Sequence, residues 1–253
     1  MKKILPITIV LIILCLGAIY QNNSNLNLVV FKLTNKNEIK EGDLVYRVSL
    51  FSIFPVGEAV FFNKEIQEYE GKKVYYLRAD AKTISIPSVF FSASVVLGSY
   101  IDMQDNNPLL FKQRIKISGK PDVAKEITYD QKNGIMSIAG VERSILPNTQ
   151  DFLSVIFNLR KMDLSKTTDF DMNINTNQKN YALKGKVTPR EILVNNKTYK
   201  AYIINADISR RDKNPYHKSK ITIELLSDKE NIPVIIRVFT AGALINAKLV
   251  QIK

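Results

Sequence analysis

Tryptophan is absent from this chain, and cysteine and histidine occur once each, as Cys15 and His217. These gaps exclude several chemistries. A disulfide framework or a thiolate metal site needs more than one cysteine. If the apolar segment holding Cys15 is removed, the remaining chain has no thiol nucleophile either. His217 lies in Lys213-Asn214-Pro215-Tyr216-His217-Lys218, a polar turn whose cations repel a metal ion, so it reads as a surface residue. Zinc binding and general acid–base work favour histidine in the company of acids or further ligands. The nucleophile elbow G-x-S-x-G, the penicillin-binding S-x-x-K set, H-E-x-x-H and the phosphate-cradling G-x-x-x-x-G-K-[ST] are all missing. The remaining route to catalysis is a pair of carboxylates, as in glycosidases, and sequence cannot match such pairs in space.

Acidic charge is also scarce. Thirty-six Lys and Arg stand against 24 Asp and Glu, a formal net charge of +12. In a cytoplasmic protein this would raise nucleic acid as a partner. Here the N-terminus argues for export, which leaves anionic lipid or cell-wall polymer and makes nucleic acid an unexpected partner. Lys2 and Lys3 precede an uncharged run from Ile4 to Tyr20. At 17 residues the run is long for a signal-peptide core and short for a spanning helix. Residues 1–20 therefore read as a signal peptide or an N-terminal anchor, with the rest of the chain outside the cytoplasmic membrane, in the periplasm or beyond. A lipoprotein reading of Cys15 meets the bulky Leu14 where a small residue is needed.

Residues 21–41 read as a polar spacer around an apolar patch at Leu26–Leu33, a tether or a first strand. From Gly42 onward strand periodicity dominates. Leu44, Tyr46, Val48 and Leu50 alternate with their neighbours. Phe54-Pro55-Val56-Gly57 reads as a turn, with 58–62 running back. Further strands are expected at 73–83, 109–118, 124–130, 135–141, 167–176, 180–194, 198–209, 218–227, 232–239 and 243–252. Pro87, Val89, Phe90, Ala93, Val96 and Leu97 fit a short helix. Asp169-x-Asp171-x-Asn173-x-Asn175 resembles a calcium loop but has Ile174 and Asn180 where an EF-hand needs Gly and Glu. Its period of two reads as a strand face.

The stretch around which the chain is expected to organise is a helix at 149–162. Phe152, Leu153, Ile156, Phe157 and Leu159 form one apolar stripe, with Asn148 or Thr149 as N-cap and Asp151 in the first turn. Gln150, Ser154 and Lys161 are expected to face away. Short connections and the lack of long helices between strands argue for antiparallel pairing. The expectation is an all-β fold with one or two short helices: a curved antiparallel sheet or open β-barrel-like domain with a helix packed against it. It would form a single exported domain over 42–253, with sheet halves at 42–141 and 165–253.

Certain short motifs carry a family likeness. Gly42-Asp43-x-Val45-Tyr46 with Val56-Gly57-Glu58-Ala59, Ser99-Tyr100-Ile101-Asp102 with Pro108-Leu109-Leu110-Phe111, and Asp151-Phe152-Leu153-Ser154 through Leu159-Arg160 resemble the domain of unknown function 3108 family. The chain lacks the tryptophan-type aromatic often found late in that family's first strand, and Phe51 occupies the place. The resemblance implies an exported bacterial β-rich protein without established catalysis, and it brings no active-site residues.

The function expected is non-catalytic: an exported cell-envelope protein binding an apolar or amphiphilic ligand, such as a lipid, or a partner envelope protein. The alternatives are a carboxylate-dependent cell-wall glycan hydrolase and a purely structural envelope component. No cofactor or metal is expected. The candidate ligand-contacting residues are Leu153, Ile156, Phe157, Phe90 and Phe91. The candidate contacts to an anionic membrane surface are Arg210, Arg211, Lys213, Lys218 and Lys220, each able to contribute about 1 kcal/mol near anionic headgroups.

Overall fold

The computed structural model describes residues 30–31, 42–84, 92–176, 178–211, 219–227, 230–240 and 242–253. Phe90, Phe91, Lys213, His217 and Lys218 lie outside them, as does the apolar run at 4–20. Among the described residues no helix is long and apolar enough to cross a membrane.

Among the described residues sixteen strands form one sheet. The first half holds β2 (Leu44–Leu50), β3 (Phe54–Phe61), β4 (Glu65–Tyr69), β5 (Lys72–Thr83), β6 (Ala93–Asp102), β7 (Pro108–Ile117), β8 (Val123–Asp130), β9 (Ile135–Ile138) and β10 (Val141–Ser144). The second holds β11 (Asp169–Thr176), β12 (Lys179–Val194), β13 (Lys197–Arg210), β14 (Ser219–Leu226), β15 (Pro233–Thr240) and β16 (Ala243–Ile252). All of these pair antiparallel, while β1 (Val30–Phe31) lies parallel to β12. Strand β16 pairs with β2 along Ile245–Ile252, so the halves are two arms of one sheet that turns back on itself without closing. The segment after β10 bridges the gap. Ile145 N–H donates to Gly134 O, and Gln150 exchanges backbone hydrogen bonds with Asn173 and Asn175 at 2.8 and 3.0 Å.

Among the described residues one helix, α1 (Phe152–Lys161), lies between the arms. Its cap differs from the expectation: Asp151 is the N-cap, and its carboxylate accepts from Leu153 N and Ser154 N. Asn148, with φ at +53°, is instead in a left-handed turn, and Thr149 Oγ1 donates to Leu146 O. The other end is held by Asn231 Nδ2, which donates to Arg160 O and Met162 O, two of the carbonyls a helix leaves unpaired.

The buried face of α1 is wider than the expected stripe, and shifted. Leu153 packs with Ala79, Leu97, Phe111, Ile127, Tyr129 and Met136 of the first arm. Val155, Ile156 and Leu159 pack with Leu183, Val187, Ile204, Ile223 and Ile236 of the second. Phe157 lies with its ring 5.2 Å from that of Tyr75. A third cluster joins Tyr46, Leu249, Ile192 and Val234, and Phe61 touches all three. Phe152, expected in the stripe, is 43% exposed, and Ser154 and Gln150, expected outside, are buried. The reason is that α1 is covered from two sides: a helix in a concavity buries polar residues wherever hydrogen bonds wait for them.

Three further expectations change. Ala93, Val96 and Leu97 lie in strand β6, not in a helix; their helical spacing was accidental in a run rich in Ser and Val. Phe54–Gly57 is part of β3, and the turn falls at Phe51–Ile53, where Phe51 and Ser52 take φ of 51° and 62°. Strand β4, absent from the sequence reading, forms a hairpin with β5.

The contrast between two phenylalanines tests this packing. Phe157→Ala is expected to cost about 3–5 kcal/mol of unfolding free energy and Phe152→Ala no more than about 0.5. Urea unfolding of the two variants measures both; equal losses would mean that the helix is not seated as described.

Candidate functional site

The centre of the molecule is a buried polar cluster under the first turn of α1. Asp151 Oδ1 accepts from Leu153 N at 2.8 Å and Ser154 N at 2.9 Å, and Asp151 Oδ2 accepts from Ser99 Oγ of β6 at 2.6 Å. Ser154 completes a capping box, its Oγ accepting from Asp151 N at 2.8 Å. Burial raises the Asp151 carboxyl from 3.8 to about 6, against the opposing pull of the Ser99 hydroxyl and the helix N–H groups. Tyr129 Oη is buried without a partner. Its phenol is pushed well above 10, by burial first and then by the Asp151 charge. The cluster orients the helix, and Ser99 and Asp151 are both buried.

Beside the helix lies an open polar cleft of about 480 Å³, lined by five side-chain amides (Asn107, Asn148, Gln150, Asn158 and Asn173). Lys161, Asp105 and Asp171 also border it, with Pro147, Met162 and Met172 supplying apolar surface. Gln150 is the hub. Its Nε2 donates to Asn107 Oδ1 at 2.8 Å and to Asn148 O, and its Oε1 accepts from Asn158 Nδ2 at 2.9 Å. Lys161 Nζ donates to Asn106 Oδ1 and lies 5.4 and 5.1 Å from the ring centres of Tyr75 and Phe157.

A third feature is one edge of the sheet, where successive turns are linked by hydrogen bonds. Ser219 Oγ bonds Thr240 Oγ1, Phe51 N bonds Leu244 O, Ile84 N bonds Val56 O, and Ser118 N bonds Ser92 O. At the tip of the β2–β3 turn, Ile53 is 74% and Phe54 61% exposed. Arg210 ends β13 on this edge with Arg211 just after it, Lys220 is the second residue of β14, paired with Asp207, and Lys120 is exposed in the β7–β8 turn.

The sequence-derived candidates fall into two separate places. Leu153, Ile156 and Phe157 are core residues of α1, and Arg210, Arg211 and Lys220 belong to the rim. Arg211 forms an ion pair with Asp171, which also pairs with Lys184 at 3.2 Å. The Asp169–Asn175 motif lies in strand β11, with Phe170, Met172 and Ile174 packed against the core. Sequence reasoning missed Ser99, Tyr129 and the Gln150 hub. It also missed Glu224, a buried carboxylate that accepts from Arg237 at 2.7 Å and Arg190 at 3.3 Å. Asp-x-x-Ser at 151–154 was a readable capping signal, and Ser99 stood in a family motif that gave it no role; Tyr129 and Glu224 had no local signal.

The fold defines an open, β-barrel-like sheet wrapped on one helix. The family described as protein of unknown function (DUF3108) matches over residues 45–249, and the chain belongs to it. The fold is similar to that of the beta-barrel-like protein of domain of unknown function DUF1849 from Brucella abortus, with a TM-score of 0.57 at 10% identity. That likeness covers 83% of this chain and 95% of the other. No curated protein matches the chain.

The buried carboxyl gives a pH signature. Because Asp151 binds its proton more tightly when folded (about 6 against 3.8), its contribution is greatest below pH 4 and is lost as pH rises through 6. The parent should therefore lose about 2 kcal/mol relative to Asp151→Asn between pH 4 and pH 7, most of the linkage value of a shift of that size. Asn keeps the cap's acceptor. Urea unfolding at four pH values measures the difference, and a flat difference would contradict the buried, protonatable cap.

Proposed function

We propose that this protein is a non-catalytic component of the bacterial cell envelope, exported past the cytoplasmic membrane, whose apolar rim rests on an anionic lipid surface. The observation that carries the reading is the β2–β3 tip. Ile53 and Phe54 are exposed on a turn held in two successive left-handed, non-glycine conformations. Each such residue costs roughly 1–2 kcal/mol, and strain of this kind clusters at functional sites. An exposed isoleucine and phenylalanine gain by entering the headgroup boundary. The cations Lys120, Arg210 and Lys220 are placed on the same edge, where anionic headgroups attract them, while the Arg211 guanidinium is engaged by Asp171.

The amphiphile is met at the surface in this reading and not inside the sheet. Leu153, Ile156 and Phe157 already pack against protein on both arms. A non-catalytic role is further supported by where the raised carboxyl lies. Asp151 is sealed beneath the helix and does not line the cleft, whereas a carboxylate glycosidase needs its acid beside the substrate.

The absence of tryptophan supplies the test. In Phe54→Trp the sole indole reports on the tip. With vesicles of phosphatidylglycerol and phosphatidylethanolamine, its emission is expected to shift to the blue and to be quenched by brominated acyl chains. Unchanged emission while the full chain co-sediments with the vesicles would mean that the rim stays in water and the reading is wrong.

A further inference from the structure

We infer that the amide-lined cleft beside α1 is a binding site for a neutral polyhydroxylated chain, a saccharide in chemical class. The volume of about 480 Å³ is in the usual range of small-ligand sites, roughly 300–1,000 Å³. Its chemistry is the stronger argument. Three of its amides use one end to build the wall and keep the other for the cleft. Asn148 Oδ1 accepts from Asn107 Nδ2 at 3.1 Å, which leaves the Asn148 Nδ2 donor. Asn158 Nδ2 donates to Gln150 Oε1 and to Asn106 O, and Asn173 Nδ2 donates to Pro147 O, which leaves two Oδ1 acceptors.

A hydroxyl both donates and accepts, so a mixed set of donors and acceptors suits a row of hydroxyls better than it suits a carboxylate or an ammonium. Charge points the same way. Lys161 is offset by Asp105, and Asp171 is engaged by Arg211 and Lys184, so no excess charge of one sign selects an ion. Pro147 and Met162 offer the C–H faces of a sugar ring an apolar surface. The hub that presents these groups is rigid, because Gln150 is buried and spends both ends of its amide within the wall.

The site is distinct from the lipid-facing rim and does not depend on it. The test is saturation-transfer difference NMR on the full chain with chitotetraose and maltotetraose, and with hexaethylene glycol as a flexible non-sugar control. Two variants lie on different walls of the cleft. Asn148→Gly removes the donor and suits the left-handed backbone there, and Asn173→Leu replaces an acceptor with an apolar branch of similar shape. The parent is expected to give transfer to at least one tetrasaccharide and none to the glycol. Each variant is expected to weaken binding about fivefold, the factor of a lost hydrogen bond near 1 kcal/mol, while melting like the parent. Transfer to chitotetraose alone would identify an N-acetylated chain as the ligand class; transfer to both would identify a general glycan site. Transfer no stronger than to the glycol, or binding unchanged in both folded variants, would overturn the inference. Neither variant touches Ile53 or Phe54, so loss of sugar binding with an intact rim signal separates this inference from the lipid-surface reading.

Discussion

A hydrogen bond between the hydroxyl of Ser99 and the buried carboxylate of Asp151, 2.6 Å long, is the contact on which the rest of the structure depends. It joins the middle of a strand in one arm to the first turn of the only helix described. Burying a carboxylate is expensive, and the raised pKa near 6 records that cost. The expense is offset by satisfying the helix N–H groups that would otherwise be orphaned inside the protein. A capped helix then presents Leu153 to one arm and Val155, Ile156 and Leu159 to the other. Without that orientation, the two clusters that these helix residues complete would each lose that part of their packing.

Other features follow from the helix being seated there. Its C-terminal turn is tied by Asn231 and Arg160 to the β14–β15 connection. Its outer flank, through Asn158 and Lys161, forms one wall of the amide cleft. The wall opposite comes from β11 and from the 145–150 segment, which Gln150 locks in place. The β2–β3 tip owes its exposure to a different cause: it projects from the rim at a turn whose φ angles are left-handed. The core is thus filled by the protein's own helix, and the described surface includes an open cleft beside that helix and an edge where Ile53 and Phe54 are exposed.

Much of this was legible in the sequence where a local period decides the outcome. Strands β11 to β16 fall close to their expected limits, because alternation and turn residues such as Asn195-Asn196 act locally. The family motifs also proved a reliable guide to the fold. The failures have a common physical origin. Ser154 looked like a solvent-facing residue because its partner, the Asp151 backbone, matters only once the helix is enclosed. Ala93, Val96 and Leu97 matched a helical spacing that pairing with Ile117, Arg114 and Gln113 overrides. The join between the two expected sheet halves was not legible, because nothing local says that β16 will lie beside β2. The cleft was invisible for the same reason: Asn107, Gln150 and Asn173 are distant in sequence, and polar residues outside a motif look like ordinary surface.

Native-state hydrogen exchange tests the central claim most directly, by following the amides of Leu153 and Ser154 that Asp151 holds. If the capped helix is the core on which both arms fold, those amides and the rest of 152–161 exchange only through global unfolding, together with β6 and β13–β14. If the helix exchanges through local opening while the strands on both arms stay protected, the sheet stands without it and the account is wrong.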